Sequence, residues 1–162
     1  MDTAIALTFR FCMYVLFGLT LEVVCSVKAI ENALGCPVHR RVPRSYLEGF
    51  VSLYMIPLHG FGVLFLFEPV HDAIREWVWP ARFAVYAVAI TAMEAMWGFF
   101  LDKTVGLYPW DYYADSRYKV FKRGYTLWTL VPAWGAAGML LEIYTDLMRH
   151  LSPHVVTFFV SQ

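Results

Sequence analysis

The chain has 162 residues, of which 59% are hydrophobic and 16% charged, with a formal net charge of zero. A soluble domain carries about a quarter charged residues, so a water-soluble globule is excluded, and a neutral chain has no basic field with which to hold nucleic acid. In a bilayer this length holds about four spans of about twenty residues; the expected fold is all-α, a polytopic transmembrane bundle of about four helices forming one domain over residues 1–162.

The first span is expected at residues 8–30. Asp2, a single base at Arg10 and the interruption by Glu22 argue against a cleaved leader, so the segment reads as a retained transmembrane helix. Tyr14, Gly18, Glu22 and Cys25 recur on one helical face, and a polar face belongs in a bundle interior. Cys12, Cys25 and Cys36 are odd in number and form no CxxC pair. Neither a disulfide framework nor a zinc site follows, and the three read as buried apolar thiols. Loop one, residues 31–48, is broken by Gly35, Pro37 and Pro43 and made basic by Arg40, Arg41 and Arg44. Short basic loops mark the cytoplasmic side; contact with anionic lipid is the alternative.

The second span is expected at 49–67, GFVSLYMIPLHGFGVLFLF, kinked by Pro57, Gly60 and Gly62. Ser52, Ile56, His59 and Val63 share a face that turns His59 inward. No second ligand stands at metal spacing, so no metal is expected. Loop two, residues 68–80, holds Glu68, His71, Asp72, Arg75 and Glu76 and closes on the interfacial aromatics Trp77 and Trp79.

The third span, 82–101, carries Glu94 where a charge is expensive. Ala87, Thr91, Glu94 and Gly98 make a small, polar face for close helix approach. Loop three, residues 102–123, contains Pro109, Trp110, Asp111 and Tyr112, a PWDY turn in which Asp111 is placed to cap. The fourth span is expected at 124–148, with Val131, Gly135, Gly138 and Glu142 on one face and Pro132 as a bend. The tail from Arg149 reads as a short interfacial segment. Gly60, Gly98, Gly135 and Gly138 are the expected helix-packing positions.

Nine Lys and Arg fall on the side of loops one and three, and four on the other. Loops one and three are therefore expected in the cytoplasm and both termini outside. Counting from the loop ends, Glu22 lies about 9 Å deep, Glu94 about 13 Å and His59 about 15 Å. The three are expected to form an intramembrane polar core, each acid protonated or held by His59, Thr91 or backbone. At the outer end Arg10, Glu68, Glu142 and Asp146 come to one level, where Arg10 is placed to pair with an acid.

Glu22 in the first span, GFVSLYMIPLHG at 49–60, Glu94-Ala-Met-Trp-Gly98, PWDY at 109–112, Gly124-Tyr125 and Pro132-Ala-Trp134 together resemble the bacterial membrane family labelled putative ABC-transporter type IV, with its vertebrate relatives, the transmembrane protein 229 proteins. The resemblance runs from about Arg10 to Glu142. It implies a small protein of four to five spans and supports Glu22, Glu94 and the PWDY residues as a family core. A role for His59 is not inherited, because the family has Tyr or Trp where this chain has Leu58-His59. There is no Walker GxxxxGK[ST] motif, so an ATPase would be a separate subunit.

Three functions follow from these residues. The first is a transporter or permease-like component with a buried Glu22/Glu94 pair as its ion or proton site. The second is a non-catalytic structural subunit of a larger membrane complex, its acids fastening helices. The third, a lipid-directed enzyme, lacks a histidine box, GxSxG or HExxH, so no catalytic residue and no cofactor is expected. The lipid bilayer, a homo-oligomer or a larger complex are the expected partners, and a bacterial inner membrane the expected location.

Overall fold

The computed structural model describes residues 2–161, the side chains of Lys28 and Arg44 excepted. Four long rods account for most of it. Helix α1 (Asp2–Lys28) turns into the short helix α2 (Ile30–Leu34). The second rod, Leu53–Ile74, opens as a 3-10 turn (Leu53–Met55), widens into a π-helix, π1 (Leu58–Phe67), and ends as α3 (Glu68–Ile74). Helices α4 (Trp79–Thr104) and α5 (Val131–Val160) follow. Each of α3, α4 and α5 has a proline in its first turn, where the missing N–H costs nothing. Helix α1 packs on π1 and on α5, and α5 packs on α4.

The all-α expectation holds, and three rods are long and apolar enough to cross a membrane: Asp2–Val27, Leu53–Ile74 and Trp79–Thr104. Little of these apolar stretches is buried within the protein. Leu16, Val24, Phe61, Phe65, Val88, Met96 and Phe99 all point outward, as side chains facing lipid would. Cys12 and Cys25 are also exposed rather than buried, and Cys36 is half-buried; all three are free thiols.

The element boundaries differ from the expected spans in three places. The segment expected as loop two is helical through Ile74, because Pro69 sits in the first turn of α3 and breaks nothing. Residues 124–130 are not the start of the fourth helix. They form strand β2 (Thr126–Leu127), paired antiparallel with β1 (Lys119–Val120), and a 3-10 turn (Trp128–Leu130). Helix α5 then runs through Pro153 to Val160, so the tail belongs to it. At 30 residues α5 is the longest helix, but Glu142, Asp146 and Arg149 dilute its apolar character.

Helix α4 ends in a turn in which the Gly106 N–H reaches Leu101 O. Gly106 has φ +82, a left-handed conformation that glycine adopts freely. Loops one and three fold together as a single cap on this end of the bundle. Ser116 Oγ donates to Leu34 O at 2.7 Å, Thr129 Oγ1 to Ala33 O at 2.6 Å, and Phe50 meets the Tyr112 ring edge-on. Under the cap lies an aromatic core of Tyr108, Trp110, Tyr113 and Tyr125 with Leu34, Met55, Leu101 and Leu127. A second core of Tyr14, Val63, Leu64, Phe67, Ile74, Tyr86 and Met148 fills the opposite end.

Candidate functional site

At the cap end Gly18 leaves a notch in α1, and the His59 ring from π1 fills it. One turn further along α1, Glu22 meets that ring: His59 Nε2 lies 2.9 Å from Glu22 Oε1. Both side chains keep about a quarter of their surface open, 20% for His59 and 27% for Glu22. Segment π1 shows its wider turn in the Glu68 N–H, which bonds Val63 O five residues back. Local π-helix recurs at functional positions because it re-aims side chains. Here it carries His59.

Glu94 is close enough for the charge of Glu22 to act on it, yet its carboxylate is held by other groups. It accepts from Thr126 Oγ1 at 2.5 Å, Trp134 Nε1 at 3.1 Å and Tyr113 OH at 3.4 Å. These donors come from β2, α5 and the turn after PWDY. Thr91, the expected partner, instead bonds Ala87 O in its own helix. Three donors on a buried carboxylate compensate its lost hydration, and they tie α4 to the cap.

Within the PWDY turn Trp110 is the structural anchor. Its ring lies on Gly98, where a β-carbon would come within 3.0 Å, and its Nε1 donates to Tyr125 O at 2.8 Å. Asp111 is exposed and begins a 3-10 turn (Asp111–Asp115) that has no side-chain cap. Pro109 and Tyr112 line a cavity of 310 Å³ between loops one and three, with Leu34, Val38, His39 and Phe50. Burial, then the charges of Glu22 and Glu94, push the Tyr112 phenol up from its ordinary range.

The four glycines expected to bring helices together act as seats for rings. Phe11 lies over Gly60, Trp110 over Gly98, Phe83 over Gly135 and Tyr86 over Gly138. At Gly138 the nearest atom is Tyr86 Cβ, so there α4 also comes close to α5.

The opposite end holds a larger polar cluster that reading the residues foresaw only in part. Arg10 pairs with Glu68 at 2.6 Å. Glu68 also accepts from Tyr14 OH at 2.6 Å and from Arg149, which bridges to Asp72. Arg82 and Tyr86 of α4 both reach Glu142 of α5, at 2.8 and 2.9 Å. His71, almost fully buried, contacts Tyr86 and Asp146. His71, Arg82, Tyr86 and Arg149 were not singled out as a site. The signal was the helical spacing of Glu68, His71 and Asp72, which puts them on one face of a helix that was read as a loop. Among the described residues no group of three or more His, Cys, Asp or Glu could hold a metal ion.

The model of the family described as Putative ABC-transporter type IV matches residues 9–161. No curated protein and no solved structure matches the chain.

Proposed function

Because the chain belongs to the Putative ABC-transporter type IV family, we propose that it is a membrane-embedded, non-enzymatic component of a transport system, with Glu22 and His59 as its ion- or proton-handling pair. The observation that carries this is the 2.9 Å carboxylate–imidazole contact, part-buried and set in apolar helices. Ionisable groups inside membrane spans mark ion or proton pathways more often than they mark packing. Tyr112 and the cavity beside it supply an approach from the loop side. ATP hydrolysis, if the system uses it, belongs to a separate subunit. The charge balance of the loops supports an orientation with loops one and three in the cytoplasm; a bacterial inner membrane and kinship with the vertebrate transmembrane protein 229 proteins are part of the same proposal.

The test is flux in proteoliposomes with an internal pH-sensitive dye. Glu22→Gln should abolish a pH-dependent flux that Glu76→Gln, at a side chain 92% exposed between α3 and α4, leaves intact. Equal flux in wild type and Glu22→Gln would remove the pair from transport.

A second function, a structural subunit of a larger membrane complex, is favoured by Glu94. Its three donors make it a fastener between α4, the cap and α5. A mild-detergent pull-down separates the two: a stoichiometric ATP-binding partner favours transport, and a large unrelated assembly favours scaffolding.

A further inference from the structure

His71 is 1% exposed and lies where α3, α4 and α5 meet. Its Nδ1 is 3.1 Å from Tyr86 OH and its Nε2 is 3.1 Å from Asp146 Oδ1. The Tyr86 hydroxyl has one proton, and it donates that proton to Glu142 Oε2 at 2.9 Å. The tyrosine oxygen can then only accept from His71, so Nδ1 must carry a hydrogen. An ionised Asp146 can only accept, so Nε2 must carry one as well. Both contacts are satisfied together only by an imidazolium.

The surrounding charges lead to the same protonation state by a separate count. Facing the cluster are Arg10 and Tyr14 from α1, Glu68 and Asp72 from α3, Arg82 and Tyr86 from α4, and Glu142, Asp146 and Arg149 from α5. Arg75 pairs with Glu76 outside it. Three guanidiniums face four carboxylates, so the cluster is one positive charge short. An extra proton makes it neutral, which the buried Glu68 and Glu142 favour. Glu142 is the other group that could hold that proton, but Arg82 at 2.8 Å stabilises its ionised form.

We propose that His71 is a proton-binding site of the bundle, filled through Asp146. The Asp146 side chain is 50% exposed, whereas that of His71 is 2% exposed. Asp146 is therefore the group through which a proton enters or leaves. When the proton leaves Nε2, the nitrogen that Asp146 faces, no hydrogen remains between that nitrogen and the carboxylate. The contact between α3 and α5 then loosens, while Nδ1 keeps its hydrogen bond to Tyr86. The site is distinct from the Glu22–His59 pair: Arg10 and Glu22 are separated by twelve residues of α1, about 18 Å along the axis.

The experiment is nitrogen NMR of ¹⁵N-histidine-labelled protein in lipid nanodiscs. At about pH 7, where an unperturbed histidine is mostly neutral, the His71 ring should show both nitrogens protonated. Loss of that signal in His71→Asn assigns it. Should that variant not fold, single Gln substitutions at His39, His59, His150 and His154 assign it by elimination. A His71 ring with one bare nitrogen at about pH 7 in folded protein overturns the proposal. A second measurement is melting temperature against pH. From about pH 6 to about pH 9 the wild type should lose about 3 °C or more, because the balancing charge leaves as the proton does. Asp146→Asn, which removes one carboxylate and the proton's route, should flatten that slope; an unchanged slope counts against the proposal.

Discussion

The imidazole of His59 occupies the volume that a side chain at residue 18 would take. A β-carbon there would lie 2.3 Å from His59 Cγ. Gly18 therefore decides whether His59 reaches Glu22 at all. Exposed helical Gly→Ala changes stabilise by about 1 kcal/mol, so the sign of the effect is diagnostic. Gly18→Ala should instead destabilise by about 1–3 kcal/mol, as overpacking does, in a detergent melting curve. Gly18→Ala with His59→Ala should recover most of that loss, and a neutral single variant would show that the ring moves aside freely.

Glu68 takes hydrogen bonds from Arg10, Tyr14 and Arg149 on two different helices. Both guanidiniums are mostly buried, with 17% and 28% of their side chains exposed. Glu68→Gln keeps the shape but leaves them facing a neutral amide. Breaking a buried pair on one side costs about 3–5 kcal/mol, and the loss should fall near the low end because Asp72 still holds Arg149. Thermal melting in nanodiscs measures it. A change below about 1 kcal/mol would mean that the cluster is as well screened as a surface pair.

Glu94 gives a contrast between two substitutions. Glu94→Leu would leave Thr126, Trp134 and Tyr113 without their acceptor in a buried site. An unmet donor costs about 1–3 kcal/mol, so Leu should destabilise by about 3 kcal/mol or more. Glu94→Gln keeps one accepting oxygen and should lose less. If both variants melt alike, the three donors have found other partners, and Glu94 is not what holds the cap to α4.

Much of this arrangement was readable before folding, and the reasons for the rest are physical. Depth along a helix follows from its rise, so Glu22 and His59 were expected at similar levels, and they meet. The partners of Glu94 were not readable, because Thr126 and Trp134 lie 32 and 40 residues away, on β2 and α5, beyond any repeat within α4. The places of His71, Arg82 and Arg149 in the outer cluster were not readable for a different reason. A run of charges in an apolar chain reads as a loop, yet these charges neutralise one another across α1, α3, α4 and α5, so they can stay inside the bundle. The fourth helix was placed too early because Gly124 to Leu130 is apolar enough to continue it. Gly124 instead has φ +73 and lies against the Tyr113 backbone, which requires a turn.

The cap carries its own response to alkali. Burial pushes the Tyr108 phenol up to about 12. Tyr113 is raised as well, by burial and then by the charge of Glu94. Raised groups favour folding while neutral, so their contribution is complete below the unfolded tyrosine value of about 10. It is lost as pH rises from there through the folded values. Ultraviolet titration should therefore show fewer tyrosinates in folded than in denatured protein at about pH 11. Tyr108→Phe should remove one of the protected groups. Equal tyrosinate counts would mean that the cap admits solvent freely.

Trp110 separates packing from hydrogen bonding in the PWDY turn. Its ring presses on Gly98, lies against Tyr108 and Tyr113, and donates to Tyr125 O. Trp110→Phe keeps a ring over Gly98 but leaves a buried carbonyl without its donor, for a loss of about 1–3 kcal/mol. Trp110→Ala also empties the aromatic core and should cost about 3–5 kcal/mol. Gly98→Leu attacks the same contact from α4, and its effect should not add to that of Trp110→Ala, because a small residue at 110 makes room for the larger one at 98. Melting curves of the two singles and the double measure the coupling. Strict additivity would mean that Trp110 holds the cap by its bond to Tyr125 alone, and that its seat on α4 contributes nothing.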